Sequence, residues 1–274
     1  MDKFQKEKIK ELYKKRRSLK LISKETNLST KKIKEWLIEN KLWTGHNSLR
    51  KFFDEFYFDK IDTEEKAYWL GFFYADGYLV TNRNTIGIEL KSSDINQLEK
   101  FKKSLQIEHE IKIYKKQSTF GPQENCRLCF SSAHMKKILS NYFGTVHKTQ
   151  EGIIPILYDE KLMWHMIRGI FDGDGTLTWT KKEEGNILCP NLSITNTKET
   201  LEIIEKYSNF NWNWYQRHPD SKVNNWTINC GRVNDNLSFL KNMYDNANIY
   251  LDRKYSLYKE LIDNRNKYYA KARV

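Results

Sequence analysis

Two aspartates, Asp76 and Asp174, occupy matching places in two similar segments of the chain. Each ends an apolar stretch of helical composition, YWLGFFYA in the first segment and HMIRGIFDG in the second, and each is followed by glycine. A carboxylate at the C-terminal end of a helix faces the negative end of the helix dipole, so folding alone does not favour it. A divalent cation such as Mg²⁺ does favour it, because Mg²⁺ prefers oxygen ligands. Such a site can activate water and stabilise charge on a phosphodiester.

Two helices that pack against each other must position these carboxylates. Each helix carries two small residues spaced four apart, which are Gly71 and Ala75 in the first and Gly169 and Gly173 in the second. Residues four apart lie on one face of a helix, and a face of small residues lets two backbones approach closely. Packing through these faces would bring Asp76 and Asp174 side by side. We expect the glycines that follow, Gly77 and Gly175, to end both helices in the left-handed conformation.

The sequence after each of these helices repeats in the same order. Residues 86–101 (IGIELKSSDINQLEKF) parallel residues 192–207 (LSITNTKETLEIIEKY), an alternating strand followed by an amphipathic helix. Residues 125–139 and 225–240 repeat the order of strand and helix. Such self-similarity predicts two like units fused in one chain. The predicted fold class is α+β, with tandem αββαββα repeats that form two antiparallel sheets.

The two segments resemble the motifs of the LAGLIDADG homing endonucleases of the single-chain, two-motif type. The resemblance covers about residues 62–262, and the second copy, IRGIFDGDG, fits closely. The first copy carries Tyr74 where an aspartate is common. Tyr74 and Asp172 lie two residues before the terminal aspartates, on nearly the opposite side of each helix, so neither should bind metal. The departure at Tyr74 therefore leaves the predicted metal site intact.

The resemblance implies a pseudo-twofold saddle whose two sheets lie along the DNA major groove. It also implies a Mg²⁺-dependent, site-specific double-strand endonuclease that leaves 3′ overhangs. Asp76 and Asp174 would be the catalytic ligands of two or three divalent ions at one shared site. Lys148 and Lys254 fall where family members often carry a basic residue near the scissile phosphates, although Arg253 competes with Lys254 for that position. A lysine there could stabilise charge in the transition state.

Four predicted pairs of strands would supply the DNA-reading surface. They are 78–83 with 85–91, 108–116 with 124–131, 175–182 with 187–195, and 211–218 with 222–230. Their alternation of apolar and polar residues is typical of sheets with one wet face. The basic residues expected to point outward to bases or phosphates are Arg83, Lys91, Lys112, Lys115, Arg127, Lys181, Lys182, Arg217, Lys222 and Arg232. About half of them are expected to be solvated edge residues instead.

The N-terminal residues predict a small all-α helix-turn-helix domain. The helix-turn-helix pattern consists of apolar residues at helical spacing, a polar turn at Asn27-Leu28-Ser29 and a third helix after it. Residues 1–50 hold 15 Lys and Arg against 6 Asp and Glu, which places +9 of the net charge of +12 in this part. The third helix would present Lys31, Lys32 and Lys34 to DNA. The expected domains are the helix-turn-helix at 1–46, a linker at 47–61, the first repeat at 62–150, and the second repeat with a C-terminal helix at 151–274.

The composition favours a nucleic-acid partner. The 274 residues carry 47 Lys and Arg against 35 Asp and Glu, and a basic balance favours an acidic partner, which the resemblance implies is double-stranded DNA. No apolar run approaches the length of a membrane span, and the N-terminus lacks the apolar core of a signal peptide. The four cysteines do not form a disulfide framework, and Cys126 and Cys129 lack a second pair to complete a zinc site. We therefore expect a cytoplasmic protein with no membrane partner, and the resemblance implies a monomer, a pseudo-dimer within one chain.

Other function classes were compared with the endonuclease. A non-cleaving DNA-binding regulator or an intron RNA maturase could use the same scaffold. Loss of either terminal aspartate would have favoured that alternative, and both aspartates are present. A recombinase needs a serine or tyrosine nucleophile among clustered arginines, and no such constellation stands out.

Overall fold

Two successive αββαββα units account for residues 64–244. A computed structural model of the chain describes residues 1–15, 17–43, 53–118, 121–145, 147, 151–182, 187–216 and 224–271. The first unit comprises α4 (Glu64–Asp76), β1 (Gly77–Leu79), β2 (Thr85–Lys91), α5 (Ile95–Ser104), β3 (Lys112–Ser118), β4 (Gly121–Ser131) and α6 (Ala133–Phe143). The second comprises α7 (Glu160–Asp174), β5 (Gly175–Lys181), β6 (Leu188–Asn196), α8 (Lys198–Ser208), β7 (Asn213–Tyr215), β8 (Trp226–Asn229) and α9 (Val233–Tyr244). Helix α10 (Asp252–Lys271) follows. The predicted α+β class and its tandem repeat are confirmed.

Each unit folds into one antiparallel four-stranded sheet, and the two sheets have the same topology. The strand order is β1-β2-β4-β3 in the first sheet and β5-β6-β8-β7 in the second. The register also matches, because Gly77 pairs with Ile88 and Gly175 pairs with Ile194. Positions equivalent between the two halves can therefore be identified directly, and Leu90 corresponds to Asn196.

Each sheet buries one face against helices and leaves the other face outside. In the first sheet, Ile86, Ile88 and Leu90 alternate inward on β2 and join one hydrophobic core with residues of α4 and α5. Burying side chains of this size contributes about 1.5–3 kcal/mol each. We call the buried side of each sheet its core face and the opposite side its outer face. Alternation along a strand then assigns every strand residue to one of the two faces.

Three short helices at the N-terminus pack around a separate small core. They are α1 (Lys3–Lys14), α2 (Leu19–Thr26) and α3 (Thr30–Glu39). Ile9, Ile22 and Ile33 are fully buried in this core, as the apolar spacing predicts. The Ser29 side chain accepts a hydrogen bond from the Lys32 backbone N–H and caps α3. The turn before α3 passes through Asn27, whose φ of 54° is left-handed.

The glycines that end α4 and α7 do not adopt the predicted left-handed conformation. Gly77 has φ −75° and ψ 162°, and Gly175 has φ −82° and ψ 154°, so both are extended and begin a strand at once. Glycine is required at both positions because there is no space for a Cβ atom. A Cβ at Gly77 would lie 2.5 Å from the Phe73 carbonyl oxygen, and one at Gly175 would lie 2.5 Å from that of Phe171. The sharp exit from helix to strand therefore excludes any side chain.

A membrane-spanning helix is not found among the described residues, since none of their helices is both long and apolar enough to cross a bilayer.

Candidate active site

Helices α4 and α7 cross with their backbones in direct contact. A Cβ built on Gly71 would lie 2.0 Å from the Met166 carbonyl oxygen, and one built on Gly169 would lie 2.1 Å from the Tyr68 carbonyl oxygen. Toward the C-terminal ends, a Cβ on Gly173 would lie 2.3 Å from the Cβ of Ala75. Because these three glycines have no side chain, the two helices can approach this closely. The four small residues of the motifs thus lie at the contact between the two units.

The contact brings Asp76 and Asp174 to the same end of the helix pair. The Asp76 Oδ2 atom lies 3.0 Å from the place where a Cβ of Gly173 would be, one residue before Asp174. Both aspartates are half-buried. Each lies where a helix meets the first strand of its sheet, so the carboxylates lie at the junction of both sheets. Two carboxylates are brought together at a partly open surface.

Asn196 is a site residue that the sequence analysis missed. Its Nδ2 donates a hydrogen bond of 2.6 Å to Asp174 Oδ2, and its Oδ1 accepts one from the Thr197 backbone N–H. The amide is therefore fixed in orientation, and it holds one oxygen of Asp174 in place. Its counterpart in the first unit is Leu90, so the internal repeat carries no signal for this position.

Tyr74 supports Asn196 from the other unit. Its hydroxyl donates to the Gly152 carbonyl at 2.8 Å and lies 3.2 Å from Asn196 Oδ1 and 2.8 Å from Thr200 Oγ1. Burial raises the pKa of Tyr74, so the phenol stays protonated. Tyr74 thus contacts Asn196, the partner of Asp174, and fixes α4 to the start of α8.

Asp172, which occupies the motif position of Tyr74 in the second copy, is completely buried. Its carboxylate accepts hydrogen bonds from the Tyr68 and Tyr244 hydroxyls and from the Leu251 backbone N–H. Burial raises the pKa of Asp172, and this effect is opposed by the nearby charge of Lys254 and by these donors. All the contacts are internal, so Asp172 joins α4, α7, α9 and the start of α10.

Lys254 does not lie on the surface of the protein. Its side chain is 1% exposed, and its ammonium donates to the backbone carbonyls of Phe171, Asp172 and Gly175. Burial lowers its pKa to about 8, while the charges of Asp172, Asp76 and Asp174 oppose that shift. Lys254 therefore lies buried close to the two aspartates, and its expected role near the scissile phosphates stays a prediction. The lysine binds the carbonyls at the end of α7, beneath the aspartates, because all three of its N–H groups are used there.

Replacing Lys254 by methionine should destabilise the fold by about 2–4 kcal/mol, because buried carbonyls lose their donor and Asp172 loses a neighbouring charge. The measurement is chemical denaturation followed by circular dichroism. Lys136 offers a matched control, since its ammonium donates to the carbonyls of Val80, Thr81 and Arg83 but is only half-buried and far along the sheet. Lys136→Met should cost about 1 kcal/mol. Equal losses for both variants would contradict this account of Lys254.

Arg168 joins the two units at the opposite end of the helix pair. Its guanidinium is 1% exposed and contacts Glu64 at 2.7 Å, and it donates to the carbonyls of Met243 and Ile249. Burial would raise the pKa of Glu64, but hydrogen bonds from Asn248 and the charge of Arg168 hold it below its usual value. Both ends of the α4–α7 contact are thus fixed by groups from both units.

The aspartate pair fits Mg²⁺ in its donor chemistry. No group of three or more His, Cys, Asp or Glu that could hold a metal occurs among the described residues. Mg²⁺ does not need such a group, because it keeps several waters and commonly takes one or two carboxylates together with substrate phosphates. Asp76 and Asp174 would supply the carboxylates, and the lysine behind them limits the negative charge that builds up without the metal.

The predicted DNA contacts fall on several surfaces. Lys91, Lys112 and Arg127 lie on the outer face of the first sheet, and Arg83 lies in the turn between β1 and β2. Lys31, Lys32 and Lys34 are exposed on α3. Arg232 is exposed at the N-terminus of α9. Lys148, Arg217 and Lys222 lie outside the described residues.

Two lysines do not share the outer faces, contrary to the prediction. Lys181 pairs with Leu188 and alternates with Leu177 on the core face of β5. Lys115 lies on the core face of β3, next to Ile113. Both are exposed. Neither can contact DNA bound to the outer faces.

Comparison with known proteins agrees with the geometry. Residues 63–142 match the family model described as a LAGLIDADG-like domain. The structure is similar to that of the LAGLIDADG homing endonuclease I-GzeII in complex with its DNA target, with a TM-score of 0.51 and 12% identity over 76% of this chain and 92% of that chain. No curated protein matches this chain.

Two further solved structures are similar at lower scores. Full-length DUF199/WhiA from Thermatoga maritima gives a TM-score of 0.45 and 17% identity over 79% of this chain and 67% of that chain. The meganuclease I-SmaMI bound to uncleaveable DNA gives 0.47 and 13% identity over 74% and 91%. The family match and the shared fold confirm the resemblance to the LAGLIDADG family that the two motifs indicate.

Proposed function

We propose that this protein is a site-specific, Mg²⁺-dependent double-strand DNA endonuclease of the homing type. The observation that carries the proposal is the pair of half-buried aspartates at the joined ends of α4 and α7, one from each unit. A binding protein has no need to place two carboxylates together beside a polyanion. A phosphodiesterase that uses divalent ions does need them.

In this proposal the residues of the site have separate tasks. Asp76 and Asp174 would hold the divalent ions, and bound ions would supply activation of water and neutralisation of charge on the scissile phosphates. Asn196 fixes the orientation of Asp174 through its 2.6 Å hydrogen bond. The two outer faces bind the duplex on either side of the aspartates, and cutting leaves 3′ overhangs. Because one chain supplies both carboxylates, the protein acts as a monomer.

The test is selection of cut sites from a randomised duplex library with the full-length protein. With Mg²⁺ we expect double-strand cutting at a limited set of sequences, and none with EDTA. Cutting in EDTA would contradict the role of the aspartates. Tight, sequence-specific binding without cutting in Mg²⁺ or Mn²⁺ would instead assign the DNA-binding regulator. Preferential binding to folded intron RNA would assign the maturase.

The N-terminal helices α1–α3 are proposed as a helix-turn-helix domain that adds affinity through phosphates. Replacing Lys31, Lys32 and Lys34 by glutamine in the full-length chain should reduce the slope of log K against log salt by about 3, roughly one per lost phosphate contact. Cutting at saturating protein should not change. The measurement is a binding titration at several salt concentrations. An unchanged slope would show that these lysines serve only solubility.

A further inference from the structure

The outer faces of the two sheets differ sharply in chemistry. The first sheet presents four cations and one anion there, namely Lys91, Lys112, Lys116, Arg127 and Glu89. The described strands of the second sheet present only neutral hydroxyl, amide, thiol and phenol side chains on that face, namely Thr176, Thr178, Thr180, Cys189, Asn191, Ser193, Thr195, Asn213, Tyr215, Thr227 and Asn229. The comparison covers the described strands, of which β7 and β8 are shorter than β3 and β4.

Arg127 is held in a fixed orientation on the first sheet. Its guanidinium carbon lies 5.2 Å from the centre of the Tyr114 ring. The buried Nε atom has no hydrogen-bond partner among the described residues. The nearby anion is not free to compensate Arg127, because Glu89 pairs with Lys116 and accepts from Asn125. A stacked, planar guanidinium suits the two acceptors that guanine presents in the major groove.

A row of threonines marks the second sheet. Thr176, Thr178 and Thr180 are successive outer-face residues of β5, and all three are exposed. Asn191 lies directly opposite Thr178 and is exposed too. Threonine methyl groups contact the thymine methyl, and asparagine bonds to adenine through its N6 and N7. The described strand residues of this face include no cation, so they have little attraction for the acceptor pair of guanine.

We propose that the two sheets read chemically different half-sites, a guanine-containing one under the first sheet through Arg127 and an A·T-rich one under the second through the β5 threonines. The inference rests on the proposed function insofar as DNA lies on the outer faces, but not on cutting. It extends that function to the residues that set the base preference in each half-site. It also implies that most of the salt dependence contributed by the sheets comes from the first one.

The experiment selects bound duplexes from a randomised library with the full-length Asp76→Asn variant, so that binding is measured without cutting. We expect one half-site with a strongly preferred guanine and the other dominated by A·T pairs. Adding Arg127→Gln should weaken the guanine preference about tenfold or more at one position and leave the other half-site unchanged. Arg127→Lys should weaken it too while keeping the salt dependence, because lysine keeps the charge but loses the planar fork. Circular dichroism melts check that each variant is folded.

Thr178 provides the matched test in the other half-site. Thr178→Ser removes the methyl group and should lower the thymine preference at one position about fourfold, whereas Thr178→Val keeps that methyl group and the preference. Equal effects of Ser and Val, or a guanine preference that survives Arg127→Gln, would overturn the inference.

If the wild type cuts DNA but its half-sites are alike, this inference fails and the endonuclease stands. If the expected preferences appear but the wild type does not cut, the endonuclease proposal fails and this inference stands. If no base preference appears at all, both proposals fail.

Discussion

Replacing Asp76 by asparagine should slow DNA cutting at least about a thousandfold and change the Kd for target DNA less than about threefold. An amide is a far weaker ligand for Mg²⁺ than a carboxylate, and loss of several kcal/mol of metal-dependent transition-state stabilisation corresponds to this factor. Binding should persist because Asp76 is only half-exposed and carries a negative charge, which attracts no phosphate. Single-turnover cutting and a binding titration give the two numbers. Both strands should be affected, since the two aspartates serve one shared site.

Asp174→Asn should behave in the same way, and the same substitution at Asp159 is its control. Asp159 caps the N-terminal end of α7 by accepting from two backbone N–H groups, and asparagine caps a helix about as well. The control therefore makes the same chemical change on the same helix, at its far end, and should leave cutting unchanged. Full activity in either active-site variant would remove the basis of the proposed function. A Kd that rises as much as the rate falls would mean that the aspartates act in binding.

The placement of the aspartates followed from local pattern and repetition. Three features appear twice in the sequence: small residues four apart, an apolar helix and a terminal Asp-Gly. Each of them can be recognised from neighbouring residues alone. The strands after the helices were also correct to within a few residues, since their alternation is local. The register of a strand, however, decides on which face of the sheet a residue lies. The predicted face of Lys181 was wrong because a shift of one residue along β5 moves a side chain to the opposite face.

Other features depend on contacts that no local pattern encodes. Lys254 was expected near the scissile phosphates because the family resemblance places a basic residue there, and its partners are backbone carbonyls, which any residue could supply. Asn196 had no counterpart in the first unit, where Leu90 stands. Gly77 was assigned the left-handed conformation because that is the usual role of glycine after a helix. The actual reason, the closeness of the Phe73 carbonyl, depends on the sharp turn into the strand.

The two motif positions before the aspartates show how a repeated fold can be held together by unlike residues. Tyr74 bonds to the connection before α7 and to α8. Asp172 bonds to Tyr68 of α4, to Tyr244 of α9 and to the segment before α10. Each side chain bonds to elements other than its own helix and fixes them. The residue at this position, whether Tyr or Asp, therefore joins elements of the fold. The aspartate two residues later is the one proposed to bind metal.

Gly71→Ala should destabilise the fold by at least about 3 kcal/mol and abolish cutting in the molecules that still fold. Alanine in a helix normally gains about 0.5–1 kcal/mol over glycine, so the propensity effect alone predicts the opposite sign. The clash decides the outcome, because the new methyl group would lie 2.0 Å from the Met166 carbonyl oxygen, which belongs to a helix backbone and cannot rotate away. Overpacking of this kind costs about 1–3 kcal/mol, and more where backbone must move.

The loss of cutting follows from geometry rather than from stability. If α4 and α7 separate enough to admit a methyl group, the two aspartates at their ends separate as well, and they no longer share a metal. Gly231→Ala is the control, because the nearest atom to a Cβ there is Asn213 Nδ2 at 3.6 Å, an ordinary contact; it should be neutral within about 0.5 kcal/mol. Urea denaturation and single-turnover cutting test both variants. A Gly71→Ala protein as stable and active as the control would show that the helices can part without moving the aspartates, and the close contact would then have no part in the site.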